Sequence, residues 1–93
     1  EHLRVVKSSD FIKKVAFCTG SGADLINTFK ADCFLTGDLK YHTAFECYAN
    51  GLSLIDIEHF ASEKYFNIAL EKALKKHNIF ATIANSLNPF TYK

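Results

Sequence analysis

Leu52-Ser53-Leu54-Ile55-Asp56-Ile57-Glu58-His59-Phe60-Ala61-Ser62-Glu63, residues 52–63, is the stretch on which the reading of the fold turns. Leu52 to Ile57 is a short apolar run that follows the turn pair Asn50-Gly51, the pattern of a buried strand. Beyond it Phe66, Ala69, Leu70, Ala73 and Leu74 recur at i, i+3, i+4 spacing. This is the stripe of an amphipathic helix, and Ser62 stands where its N-cap should be. The chain thus turns a corner from strand to helix at Glu58–Ser62. His59 and Glu63 lie four residues apart at that corner, so an imidazole and a carboxylate can point into one small volume, where a divalent metal accepts nitrogen and oxygen ligands.

Working outward, the same apolar signature bounded by turn residues recurs at Lys14 to Cys18, Cys33 to Leu35 and Ile79 to Ala84, which read as further strands. Leu3 to Val6 reads as an additional edge strand, followed by an Asp10-capped helical turn reaching Ile12. Between the strands lie two more helical patterns. One opens at Ser21, with Asp24 three residues on and Leu25, Ile26 and Phe29 on one face. The other opens at Asp38, carries Tyr41, Ala44, Phe45 and Tyr48, and stops at Asn50-Gly51, a left-handed C-cap signal. Strands and helices alternating over short connections predict an α/β fold: a mostly parallel sheet of four to five strands with about three helices, in a single small domain spanning residues 1–93. Ligands of such sheets bind beyond the carboxyl ends of the strands. Thr19-Gly20-Ser21-Gly22, Thr36-Gly37-Asp38 and Glu58-His59 each fall at such an end, and parallel neighbours would open all three corners on one rim.

Composition narrows the function. With 93 residues, 48% of them hydrophobic, and one proline, the chain suits one domain and not two. Eleven basic and ten acidic residues give a net charge of +1 with no block of either sign, so no footprint for nucleic acid or an anionic membrane is present. Lys75-Lys76-His77 reads as a helix end that complements the macrodipole. Cys18, Cys33 and Cys47 are odd in number and sit in apolar patterns, which suits reduced core thiols rather than a disulfide framework. Neither a secretory signal nor an apolar run of membrane-spanning length stands out, so the expected location is the cytoplasm.

Each candidate site residue has a functional and a structural explanation. His59 and Glu63 suit a Zn²⁺, Mn²⁺ or Fe²⁺ site, and equally a partly buried His beside an N-terminal helix carboxylate. Asp38 and His42 form a second acid–imidazole pair four apart, suited to holding or orienting ligands, although Asp38 also serves as a plain N-cap. Gly20-Ser21-Gly22 at the head of a helix offers backbone N–H groups to an anion, or is a tight turn that needs glycine. Cys18 is either the end of an apolar strand or a nucleophile served by His42 or His59. Phe60, Tyr65, Phe90 and Tyr92 fit no stripe and suit a subunit contact.

Taken in order, Val15-Ala16-Phe17-Cys18-Thr19-Gly20-Ser21-Gly22, Ala31 through His42 and Asp56 through Glu63 resemble the C-terminal part of the Nif-three-like family, named after the yeast NGG-interacting factor. Some members carry the label GTP cyclohydrolase I type 2 homologue. The resemblance runs from about Leu3 to Phe90 and carries three motifs in the family's order. It implies a two-metal site in which a Gly-His-x-x-Thr-Glu signature supplies a His and a bridging Glu. Those positions are His59 and Glu63 here, with Glu58 in place of the usual Gly and Ser62 in place of Thr. The family's Thr-Gly-Asp/Glu-x-x-x-His segment, which lines the same pocket, corresponds to Thr36, Gly37, Asp38 and His42.

Such proteins are more than twice this length and draw a His pair and an Asp ligand from their N-terminal half, with which His2 is not to be identified. The implied function is therefore the C-terminal domain of a dinuclear-metal protein, a metal-dependent hydrolase of a nucleotide or phosphate-containing small molecule. Metal binding is expected to be weak or absent in these 93 residues alone, and the isolated chain inactive. The alternatives are a non-catalytic oligomerisation or partner-binding module, as the family's transcription-factor name suggests, and metal storage or delivery. A homo-oligomer is the expected assembly.

Overall fold

Four short strands make one sheet in a computed structural model that describes residues 3–93. β1 (Arg4–Val6), β2 (Val15–Phe17), β3 (Cys33–Thr36) and β4 (Ser53–Asp56) lie in the order β1-β4-β3-β2. β2, β3 and β4 run parallel and β1 pairs antiparallel with β4, so the sheet is mixed with the parallel pairings in the majority. The helices are α1 (Tyr41–Ala49), α2 (His59–Glu63) and α3 (Phe66–Lys75), with a 3-10 helix at Ala23–Thr28. The α/β class and three of the expected strands stand as read from the sequence, and the edge strand at residues 4–6 joins them. His2 lies outside the described residues.

Register sets the two faces of the sheet. Val6, Leu54, Phe34 and Ala16 are neighbours across the four strands and point to one side. There Phe34 and Leu54 are completely buried and join Leu39 and Cys47, with Ile26, Phe29, Ala44 and Leu52 packed around them. The rings of Phe29 and Phe34 meet at 4.7 Å and 52°. Removing the Phe34 ring from so small a core would cost about 3–5 kcal/mol. On the other side Val5, Val15 and Phe17 are exposed. The chain's radius of gyration is 16.0 Å, against about 12 Å for a compact chain of this length. The excess comes from α3 and residues 79–93, where no residue is fully buried.

Several local expectations are corrected. Ile79 to Ala84 forms no strand: it pairs with neither of the sheet's outer strands, β1 and β2, and a β-branched run that joins no ladder does not become a strand. The stretch from Asp10 to Ile12 is not helical, and Asp10 instead pairs with Lys7 at 2.7 Å. The helix expected from Ser21 is the 3-10 turn, without a side-chain cap. The helix expected from Asp38 starts at Tyr41, because Asp38 adopts φ +55° and cannot enter a right-handed helix. The helix expected from Ser62 is two helices, and Ser62 lies within the first. The stop at Asn50-Gly51 is found as expected, with Gly51 at φ +80°.

Among the described residues no helix is long and apolar enough to cross a membrane. Cys18, Cys33 and Cys47 are free thiols; Cys33 and Cys47 are buried, and burial pushes both of their pKa values up.

Candidate functional site

Because β2, β3 and β4 are parallel, their carboxyl ends meet. Gly37 N–H donates to the Gly20 carbonyl at 2.7 Å, and Ile57 N–H donates to the Thr36 carbonyl at 2.9 Å. The approach is so close that a Cβ on Gly37 would lie 2.6 Å from the backbone of Glu58 and His59. Only glycine lets the second and third corners touch. Thr36, with no exposed surface, holds the first corner: its hydroxyl accepts from Gly22 N–H at 2.8 Å and donates to the Gly20 carbonyl at 3.2 Å.

His59 opens α2 on this rim, and both ring nitrogens face carboxylates. Nδ1 lies 2.6 Å from Asp38 Oδ2, and Nε2 lies 3.0 Å from Glu63 Oε2. All three side chains are about half exposed, so the cluster is open to solvent. The hydrogen bond to Asp38 raises the His59 pKa; desolvation opposes that rise, and the charges of Glu63 and Asp38 add to it, so the net shift is upward. Gly20, at φ +71°, completes the hollow: a Cβ there would collide with the Glu63 carboxylate and lie 3.3 Å from His59 Nε2. Opposite, residues 86–90 and Tyr92 wall a cavity of about 1230 Å³ that contains Asp38, His59 and Glu63.

The donor set suits a divalent cation. An imidazole nitrogen and a carboxylate oxygen bound to one ion at about 2.0–2.2 Å lie about 3.0–3.5 Å from each other, according to the angle at the metal, and Nε2 and Oε2, 3.0 Å apart, sit at the short end of that range. A carboxylate on the opposite ring nitrogen is the usual partner that fixes tautomer and direction of a ligating His. Among the described residues no group of three or more His, Cys, Asp or Glu side chains could hold a metal ion. This chain offers His59 and Glu63, with Asp38 engaged on Nδ1.

The other sequence candidates sort differently. Asp38 joins the cluster through its backbone turn, not through a shared helix face with His42, since it precedes α1. His42 stands apart on α1, its ring edge-on to Tyr41 at 5.5 Å between centroids. The Gly20-Ser21-Gly22 turn does not present the expected free N–H groups, because those of Gly20 and Gly22 donate to the hydroxyls of Ser62 and Thr36. Ser62, expected as a cap, donates to the His59 carbonyl and ties the first corner to α2. The Cys18 thiol donates to the Thr19 carbonyl rather than to an imidazole.

Two contributors were missed in the sequence, and a third, Tyr92, was read only as suited to a subunit contact. Asp56, 5% exposed, accepts from Arg4, from Leu39 N–H at 3.3 Å and from Glu58 N–H at 3.0 Å. A carboxylate at the end of an apolar strand was the available signal, since a buried charge requires partners. Arg4 lines the cavity from β1. Tyr92 donates its hydroxyl to Glu58 Oε2 at 2.7 Å, a contact between residues 34 apart that no local pattern announces.

The profile of the Duf34/NIF3 (NGG1p interacting factor 3) family matches residues 1–89. The chain belongs to the Duf34/NIF3 family. A Campylobacter jejuni relative described as "GTP cyclohydrolase 1 type 2 homolog" is 50% identical over 98% of this chain and 39% of its own length. "GTP cyclohydrolase 1 type 2" of Helicobacter pylori strain J99 is 44% identical over 94% of this chain and 36% of its own. The chain thus spans about two-fifths of the length of these relatives. Among solved structures, a Staphylococcus aureus protein superposes over 99% of this chain and 33% of its own with a TM-score of 0.70 at 29% identity. A Bacillus cereus protein related to NIF3 gives 0.69 at 26% identity, covering 100% of this chain and 28% of its own. These likenesses agree with the mixed α/β sheet described above.

Proposed function

We propose that this chain is the C-terminal domain of a divalent-metal protein, in which His59 and Glu63 are ligands and Asp38 orients His59, serving the hydrolysis of a nucleotide or other phosphate-containing small molecule. The observation that carries the reading is the juxtaposition of His59 Nε2 and Glu63 Oε2 at 3.0 Å in a solvent-open cavity, with Asp38 on the far ring nitrogen. Zn²⁺, Mn²⁺ or Fe²⁺ suits this pair, and two ions per site are the reading for the intact protein. A metal bound there would supply Lewis-acid polarisation of a substrate oxygen. Asp38 keeps the imidazole in the tautomer whose Nε2 lone pair faces the ligand site, and Gly20 keeps the space beside it clear. The names of the C. jejuni and H. pylori relatives support a nucleotide substrate. The test is titration of Mn²⁺ or Zn²⁺ into the intact full-length protein with and without His59→Ala; unchanged stoichiometry defeats the ligand assignment.

A second reading, self-assembly through this domain, is favoured by the exposed apolar residues Val5, Val15 and Phe17 on the open sheet face and by the uncovered α3. Light scattering at high concentration tests it, and a strict monomer would count against it.

A further inference from the structure

Arg4 reaches the hollow from β1 and is fixed there by two partners. Its Nη2 donates to the Leu39 carbonyl at 2.9 Å and to Oδ2 of the buried Asp56. Each partner is one step from the cluster. Leu39 follows Asp38, and the other oxygen of Asp56 accepts the N–H of Glu58, the residue before His59. The guanidinium is therefore held to the two segments that carry Asp38 and His59. Its side chain is nonetheless 70% exposed, and among the described residues neither Nε nor Nη1 makes a hydrogen bond.

The rest of the lining makes this position unusual. Four carboxylates, Asp38, Asp56, Glu58 and Glu63, face or flank the same cavity, and Lys64 is the other cation among its walls. An anionic ligand entering such a hollow meets like charge unless a positive group is fixed where it must sit. A guanidinium with two donor nitrogens unspent and one edge already anchored matches the oxygens of a phosphate better than a mobile ammonium does.

We propose that Arg4 is the receptor for the phosphate group of the ligand that occupies this cavity. The inference deepens the functional reading above and rests on it for the pocket, but it does not require a bound metal. Arg4 also fixes Asp56, and so holds the phosphate at a set place relative to His59 and Glu63.

The experiment is calorimetric titration of inorganic pyrophosphate, with phosphate in parallel, into the metal-free intact full-length protein at low salt. Binding by the wild type that weakens at least about tenfold in Arg4→Gln supports the proposal, the loss expected when a charge-assisted pair is removed. No binding by the wild type, or equal binding by Arg4→Gln, overturns it. Should Arg4→Gln fail to fold, Arg4→Lys, which keeps a cation beside Asp56, decides: weaker binding than wild type supports the proposal and unchanged binding overturns it. Mn²⁺ titration of the same proteins separates the two readings. Arg4-dependent pyrophosphate binding with a Mn²⁺ stoichiometry that His59→Ala leaves unchanged sinks the ligand assignment alone. A Mn²⁺ stoichiometry that falls in His59→Ala, with pyrophosphate binding indifferent to Arg4, sinks the phosphate receptor alone.

Discussion

Asp38 Oδ2 and His59 Nδ1, twenty-one residues apart in sequence, lie 2.6 Å from one another. The contact is possible because Gly37 lets the β3 corner press onto the start of α2, and because Asp38 takes a left-handed turn, at φ +55°, that sends its side chain across the gap. Asp is among the few residues for which that backbone is cheap. The pair fixes the imidazole, and the second ring nitrogen then meets Glu63 by the i, i+4 geometry of α2.

The same pair dictates a pH dependence. His59 has a raised pKa in the folded chain, first from its hydrogen bond with Asp38 and then from the charge of Glu63. A group whose folded pKa exceeds its unfolded value stabilises fully below the unfolded value, and that contribution disappears as pH rises through the folded one. NMR titration of the His59 ring should therefore give a midpoint above the ordinary value of about 6.5, and Asp38→Asn should bring it down. A wild-type midpoint at or below the ordinary value would mean that the contact with Asp38 is absent in solution.

Gly20 governs the opening. Any side chain at this position collides with the Glu63 carboxylate and crowds His59 Nε2, and φ +71° adds backbone strain. Gly20→Ala should destabilise the fold by about 1–2 kcal/mol through the left-handed backbone alone, and should weaken Mn²⁺ binding of the intact protein, though less than Glu63→Gln, which takes away a ligand's charge. Metal affinity equal to wild type in a folded Gly20→Ala protein would show that the space beside Glu63 is not needed.

Much of this was legible in the sequence, and the boundary of legibility has a physical cause. Leu52 to Ile57 and Cys33 to Leu35 announced themselves because buried parallel strands are continuous apolar runs. His59 and Glu63 were visible because four-residue spacing is local. Ile79 to Ala84 misled for the same reason that β3 succeeded: composition reports a residue's fitness for a sheet, and only the tertiary structure supplies an edge. Asp38 was read as partnered with His42 because helical spacing was assumed to extend back to it, whereas a single positive φ detached it. Arg4, Asp56 and Tyr92 act through contacts between residues 34 to 52 apart, which no window on the chain contains.

Thr36 offers a test of the first corner that leaves the cluster's own side chains untouched. Its hydroxyl is the partner of the Gly22 N–H, deep beneath the rim. Thr36→Val keeps the shape and removes the acceptor, leaving an unsatisfied N–H at a cost of about 1–3 kcal/mol. Thr36→Ser keeps the acceptor and should lose less. Urea denaturation midpoints order the three proteins, and Val equal to wild type would show that water or another group satisfies Gly22.

Glu58 occupies the position where the family resemblance led us to expect glycine, and its backbone shows why glycine suits it: φ +64°, ψ 150° is a region essentially reserved for that residue. Holding a glutamate there costs about 1–3 kcal/mol, against which it gains the hydrogen bond from Tyr92 that ties the C-terminal segment across the cavity. Both Glu58→Gly and Glu58→Ala lose that bond, and only glycine relieves the strain. Glycine's extra freedom in the unfolded chain takes back about 0.4–1 kcal/mol, so Glu58→Gly should be more stable than Glu58→Ala by about 1–2 kcal/mol. Tyr92→Phe removes this hydrogen bond together with the one that Asn88 Nδ2 donates to the Tyr92 hydroxyl at 3.3 Å, and should speed proteolysis of residues 86–93 without altering the core. Thermal denaturation of the Glu58 pair checks the first expectation; alanine as stable as glycine would mean that the corner relaxes to an ordinary backbone once the glutamate is gone.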